Sequence, residues 1–194
     1  MKVLIACEFS GVVREAFAKR GHDAWSCDLL PTEIPGQHIR GDVLKVLDCD
    51  WDLMIAHPPC TYLAASGSKW FKGNIDRHVY REEAIEFVEK LWNAPINKIA
   101  IENPIGFLST MSELYEPNQI IQPWMFGHGE TKATCLWLQG LPELQPTNII
   151  SDRKQNIHKL SALRGKGSSK TRQQDRSRTY PGIAEAMASQ WGSL

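Results

Sequence analysis

Four short runs along the chain are apolar at nearly every position: Lys2-Val3-Leu4-Ile5-Ala6-Cys7, Asp23-Ala24-Trp25-Ser26-Cys27, Asp52-Leu53-Met54-Ile55-Ala56 and Lys98-Ile99-Ala100-Ile101-Glu102. Each has strand length and is bounded by polar or turn-forming residues. Unbroken apolar runs of that length are the signature of strands buried on both faces. Helical spacing fills the intervals. Val12, Val13, Ala16 and Phe17 form one stripe, with Arg14, Glu15, Lys19 and Arg20 opposite and a stop at Gly21. His78 to Trp92 carries a second stripe in Ala84, Phe87, Val88 and Leu91, and Pro181 opens a last helix bearing Ile183, Ala184, Met187 and Ala188. His38 to Asp42 reads as a strand end or turn, and Gln119 to Trp124 and Thr134 to Leu138 as two further strands. Ala64 to Asp76 is polar and Ser/Gly-rich, a mobile-looking loop with two aromatics, Trp70 and Phe71, expected at its surface. Strands alternating with helices predict an α/β fold, a mostly parallel sheet with helices on both faces. The whole of 1–194 reads as one domain.

The third apolar run ends abruptly at His57-Pro58-Pro59-Cys60-Thr61. Neither proline can donate to a sheet ladder, and Pro59 holds the residue before it extended. The outcome is a stiff loop presenting Cys60 beyond a strand's carboxyl end, where open α/β sheets bind ligands. A buried, inert cysteine is the plainer reading of that position. Against it, two other strands end in acids, Asp28 and Glu102, and a parallel sheet puts all three ends along one edge.

Composition narrows the setting. The chain of 194 residues carries 22 Lys+Arg and 22 Asp+Glu, so no net charge draws it to polyanions. The balance is uneven, because Ser151 to Arg178 holds nine Lys/Arg against two acids and is rich in Gly and Ser. That basic stretch, at about 151–178, is the place expected to hold phosphate. The five cysteines lie at 7, 27, 49, 60 and 135 with no C-x-x-C spacing, which suggests neither a zinc site nor a disulfide framework. No run approaches membrane-spanning length, and the expectation is a soluble, cytoplasmic protein with reduced thiols and no metal.

Taken in order, these residues resemble the cytosine-C5 DNA methyltransferases. Phe9-Ser10-Gly11 after the first strand is similar to the family's F-x-G element, which contacts S-adenosyl-L-methionine. Asp28 is similar to the acid on the cofactor's ribose, and Gly41-Asp42 to the element that meets its adenine. Pro58-Pro59-Cys60 matches the nucleophile motif, and Glu102-Asn103-Pro104 resembles E-N-V. Phe126-Gly127 and the strand after it resemble the region of Q-x-R-x-R, and Thr179-Tyr180-Pro181 resembles the terminal motif beside the cofactor. The resemblance covers most of 1–138 and the last fifteen or so residues. It implies a Rossmann-like methyltransferase fold with Phe9, Ser10, Gly11, Asp28, Asp42 and Pro58 on the cofactor. Cys60, Glu102, Asn103 and Lys132 would be catalytic, with His57, Pro59, Thr61 and Lys132 at the substrate.

The departures bear on function. Val13 stands where the family has a second glycine, which is expected to crowd the cofactor turn. Lys132 and Thr134 replace two arginines, and Lys132 offers a point charge without a fork. His57 replaces a small residue. The forty or so residues between Leu138 and the terminal motif leave no room for the family's DNA-reading domain.

In the implied chemistry, the Cys60 thiolate adds to C6 of cytosine, activated by His57 or Lys132, and makes C5 nucleophilic. Glu102, its pKa raised by burial, hydrogen-bonds N3 and the amino edge. The substrate is either a free cytosine nucleotide of the dCMP or dCTP type, or cytosine in DNA read with little sequence specificity. Two alternatives remain: an accessory protein that binds S-adenosylmethionine or nucleic acid without catalysis, and an amino-methyltransferase of DNA. Oligomeric state is not legible.

Overall fold

The computed structural model describes residues 1–152 and 177–194, so most of the basic stretch singled out above lies outside the described residues. Seven strands form one sheet in the order β3-β2-β1-β4-β5-β7-β6. They are β1 (Lys2–Ala6), β2 (Asp23–Asp28), β3 (His38–Arg40), β4 (Leu53–Ala56), β5 (Ile99–Pro104), β6 (Gln119–Ile121) and β7 (Thr134–Gln139). The first five are mutually parallel, and β7 alone runs antiparallel to both its neighbours. This arrangement is an α/β fold of Rossmann-like type, a mostly parallel sheet with helices on both faces.

Alternation along the strands builds two cores. Val3 and Ile5 of β1 and Leu53 and Ile55 of β4 face one layer, formed by α1 (Val12–Ala18) and the terminal helix, here α4 (Pro181–Trp191). Leu4 and Ala6, with Met54 and Ala56, face the other, which is closed by α2 (Ile75–Trp92) and the single-turn α3 (Leu108–Met111). Both faces being covered, β1 is apolar from Val3 onward and β4 over its whole length.

Several boundaries differ from the sequence reading. Helix α2 begins at Ile75, three residues early, because the Asn74 side chain caps it by accepting from Arg77 N at 3.1 Å. Its buried residues are Arg81, Ile85, Val88 and Leu91, while Ala84 and Phe87 flank the core. The supposed loop before it contains a 3-10 turn, Ala65–Trp70, and Phe71 is buried whereas Trp70 is 61% exposed. The sixth strand stops at Ile121, since Pro123 cannot extend the ladder and opens a 3-10 turn.

Arg14 belongs to the buried set, not the solvent face. Its guanidinium donates to Ser26 Oγ (3.1 Å), Thr32 Oγ1 (3.2 Å) and Ile34 O (2.6 Å) and pairs with Glu15 at 3.1 Å. Those bonds pin the loop between β2 and β3 over α1. Among the described residues no helix is long and apolar enough to cross a membrane.

Candidate active site

The chain leaves β1 toward one edge of the sheet and returns to β4 beside it. The crevice beyond β1 and β4 is therefore the topological switch point, where such sheets bind ligands. Cys7, in left-handed conformation at φ 59°, turns the chain out of β1, and Gly11, at φ 76°, turns it into α1. Gly11 is the residue type this backbone requires.

Between them lies Glu8, which the sequence reading passed over. Its buried carboxylate accepts from Val13 N (2.7 Å), Arg14 N (3.2 Å) and Ser10 Oγ (3.1 Å). The amides that open α1 are thereby taken by the protein's own acid. Val13, expected to crowd the cofactor turn, instead points its side chain into the core with Phe17. A narrow cleft of about 30 Å³ runs past Phe9 and Ser10 to His57, closed on its far side by Ser177 and Thr179. Arg178, between those two residues, pairs with Glu33 at 2.6 Å and lies 5.9 Å from the centre of the Phe9 ring.

Asp28 and Asp42 stand farther along the same edge. Burial pushes the Asp28 carboxyl above its ordinary value, against the bonds it accepts from the Leu30 and Leu29 amides and the charge of His38. Asp42 caps the 3-10 turn Val43–Lys45 by accepting from Leu44 N at 3.1 Å. Gly41 sits between them, its amide donating to Asp28 O at 2.9 Å, with open space where a side chain would be. Acceptor carboxylates beside an open backbone suit the hydroxyl and amino donors of an adenosine. The acid at α1 suits a cationic group over an anionic one. These residues therefore fit S-adenosylmethionine as a class of ligand.

The nucleophile loop is built across β4 and β5. Ala56 pairs with Ile101, so His57 and Glu102 follow one step beyond the last rung on neighbouring strands. His57 Nδ1 lies 2.9 Å from Glu102 Oε2. Asn103, fully buried, donates from Nδ2 to Pro58 O at 2.9 Å and fixes the loop's first proline. Pro58 is buried, while Pro59, Cys60 and Thr61 are exposed. Cys60 O then accepts from Leu63 N (3.1 Å) and Ala64 N (2.9 Å), closing a turn. The plainer reading of Cys60, a buried inert thiol, does not describe this residue.

One expectation is corrected. Glu102 is not held protonated: burial does push its carboxyl up, but the His57 hydrogen bond and charge, with Lys132 beyond, outweigh that and hold it below its ordinary value. His57 gives Nδ1 to Glu102, which leaves Nε2 as its nitrogen for any further partner. Its Nε2 and Asn103 Oδ1 are buried without a hydrogen-bond partner among the described residues. Lys132 comes within electrostatic reach of Glu102, its own amide donating to Gln122 Oε1 at 2.9 Å.

The terminal motif packs against the turn at 126–129. Tyr180 packs on His128, ring centres 5.0 Å apart, and Gly182 N donates to His128 Nε2 at 3.0 Å. Burial, then the Glu130 charge, pushes the Tyr180 phenol up to about 12. Among the described residues no group of three or more His, Cys, Asp or Glu is placed to hold a metal.

No protein-family model matches the chain, and no curated protein matches it. Among solved structures it is similar to a chain described as a "putative DNA modification methyltransferase encoded within prophage" from E. coli. The identity is 13%, over 76% of this chain and 51% of that one, with a TM-score of 0.47. The chain thus spans about half the length of that neighbour.

Proposed function

We propose that the protein is an S-adenosylmethionine-dependent cytosine C5-methyltransferase with Cys60 as its nucleophile. The observation that carries this reading is the exposed Cys60 loop, tied through Pro58 to Asn103, the residue after Glu102. That tie mounts a thiol and a carboxylate on one frame at the switch point. When bound, S-adenosylmethionine supplies an electrophilic methyl group. Phe9, Ser10 and Gly11, with Asp28 and Asp42, would hold it.

The chain's own residues do the rest. Cys60 sulfur forms a bond to C6 of the base, and the electron pair displaced toward C5 makes that carbon the nucleophile. After transfer, loss of the C5 proton re-forms the double bond and expels the thiolate. Glu102, ionised at rest, accepts from the exocyclic amino group. The proton for N3 passes from the imidazolium form of His57 through its Nδ1 hydrogen bond to Glu102 and on to the base, leaving His57 neutral, so the pair supplies what a Glu102 protonated by burial was expected to supply. Asn103 acts as a positioning residue for the loop. Lys132, just before β7, brings a positive charge within electrostatic reach of this carboxylate.

The test is transfer of labelled methyl from S-adenosylmethionine to dCMP, dCTP, UMP and duplex DNA, wild type beside Cys60→Ser. Transfer to a cytosine substrate that vanishes in Cys60→Ser supports the reading. Transfer that survives the substitution removes the C5 mechanism, and a wild type that labels nothing points to a binding protein. Cytosine fluorinated at C5 should leave a covalent adduct on Cys60, because fluorine cannot depart as a proton.

A further inference from the structure

Beside the Cys60 loop, where α2 begins, two guanidinium groups stand among aromatic rings. Arg77 lies 5.1 Å from the Tyr62 ring centre and 5.2 Å from that of Phe71. Arg81 lies 5.0 Å from Phe71 and 4.8 Å from Phe107. Tyr62 is two residues past Cys60. Phe107 is three past Pro104, and its amide donates to Leu63 O at 2.8 Å. The pair therefore adjoins both the thiol loop and the segment leaving Glu102-Asn103-Pro104.

What sets these arginines apart is the lack of a counter-charge among the described residues. Arg81 is only 9% exposed, and Nε of both arginines is buried without a hydrogen-bond partner among the described residues. No carboxylate of the described residues forms an ion pair with either one. The polar neighbour of Arg81 is His78, whose Nδ1 lies 3.1 Å from its Nη2. His78 Nε2 is committed to Phe71 O at 3.2 Å, which fixes the neutral tautomer with Nδ1 as acceptor. Ring faces attract a cation but do not replace an anion, and a buried guanidinium without a counter-ion is costly. By contrast Arg14, more deeply buried than either, is paired with Glu15 and bonded three further times.

We propose that Arg77 and Arg81 form a phosphate-binding clamp beside Cys60, which takes the phosphate of the cytosine-bearing substrate. A guanidinium presents a planar fork of donors suited to phosphate oxygens. The clamp lies within the described residues, so it does not depend on the basic stretch that the sequence pointed to. Trp70 and Tyr80, both exposed beside it, offer faces for a sugar or base. The inference rests on the proposed function for the identity of the base, not for the phosphate.

The same phosphate chemistry is offered by a free nucleotide and by a nucleic-acid backbone, and titration calorimetry separates them. The full chain is titrated with dCMP, deoxycytidine, dUMP, deoxyuridine and a short single-stranded oligonucleotide, wild type beside Arg77→Gln and Arg81→Lys. Wild type should bind a nucleotide roughly 10- to 100-fold more tightly than its nucleoside. Arg77→Gln should lose most of that ratio and leave nucleoside affinity unchanged, an outcome that mere packing against rings does not produce. Arg81→Lys keeps the buried charge without the fork, so it remains folded and loses part of the ratio. If the oligonucleotide responds in place of the mononucleotide, with a salt slope shallower by about one, the phosphate is a backbone phosphodiester. Equal treatment of dCMP and dUMP, with the nucleotide ratio intact, keeps the clamp and removes cytosine. A wild type indifferent to the phosphate whose oligonucleotide affinity is also unmoved by both substitutions overturns the clamp, as does one that binds none of the five.

Discussion

Gly106→Ala tests the frame that holds Cys60 and Glu102 together. The segments that follow β4 and β5 meet at a bridge between Ala64 and Gly106, flanked by Phe107 N to Leu63 O (2.8 Å) and Ala65 N to Ile105 O (3.0 Å). A methyl on Gly106 presses directly on Leu63 O, and lies 2.8 Å from Leu63 C and 2.9 Å from Ala64 Cα. All three are backbone atoms, so no rotamer change relieves the clash. Carbon contacts are comfortable at about 3.5–4.0 Å, so the segments must separate by most of an ångström. Overpacking of that kind costs about 1–3 kcal/mol. The two flanking hydrogen bonds, stretched or lost, add about 1 kcal/mol each.

The sum, about 3–5 kcal/mol, lies below the stability of most domains, so the variant folds and melts roughly 6–20 °C lower. Leu63 N is bonded to Cys60 O, which carries the displacement to the thiol. Methyl transfer should fall on the order of 100-fold, the usual result of misplacing a reacting group by an ångström. Gly67→Ala is the control: its added methyl meets nothing nearer than Thr61 O at 3.6 Å, and it should melt and turn over like wild type. A Gly106→Ala protein with wild-type melting and wild-type transfer refutes the reasoning. So does a Gly67→Ala protein equally damaged.

Two further predictions concern titration. Because the folded pKa of Glu102 lies below its ordinary 4.5, its pairing with His57 stabilises the fold fully above that value and is lost as pH falls through the depressed one. Glu102→Gln should therefore be less stable than wild type by roughly 1–2 kcal/mol at neutral pH. Urea melts should show the gap closing in acid, with His57, Lys132 and Cys135 facing the site in both proteins. A gap that widens in acid contradicts the pairing. Burial pushes the Cys27 and Cys135 thiols up to about 11, with nearby acids adding to it, and pushes Cys7 higher still. At pH 8, iodoacetamide followed by peptide mass analysis should find Cys49 and Cys60 alkylated and the other three intact until the protein unfolds. Early labelling of Cys135 beside Glu102 runs against this.

The sheet was legible because β1, β4 and β5 are buried on both faces and leave no polar position to blur the pattern. Their order was not, since nothing local in Thr134 to Leu138 announces that β7 runs antiparallel between β5 and β6. Cys60 and Glu102 could be placed on one edge because both sit at strand ends that a parallel sheet brings together, whereas Asn103 entered only through the resemblance of Glu102-Asn103-Pro104 to E-N-V. Pairings across the sheet escaped the sequence. His57 and Glu102 are 45 residues apart, and only the register of β4 against β5 makes them neighbours. The protonation state expected for Glu102 was wrong for that reason: burial was foreseen, but not the partner that overrides it.

Charged residues were misread wherever the fold turned them inward. Arg14 and Arg81 both sit in helices where spacing alone assigns a basic residue to solvent, yet both are buried. They differ in what surrounds them. Arg14 organises a loop and is satisfied by it, whereas Arg81 is held between rings with a neutral histidine. A buried cation whose partners are all accounted for explains itself by structure, but one left without an anion among the described residues, near an exposed thiol, asks for a ligand. If Arg81 were a packing residue, replacing its charge with an apolar chain of similar length, Arg81→Met, should stabilise the protein, as it does for other buried charges. If it binds phosphate, the same change should stabilise the free protein and abolish the extra melting temperature that a nucleotide confers on wild type but a nucleoside does not. Thermal melts with dCMP and deoxycytidine distinguish the two, and an undiminished dCMP shift in Arg81→Met rules out Arg81 as a phosphate ligand.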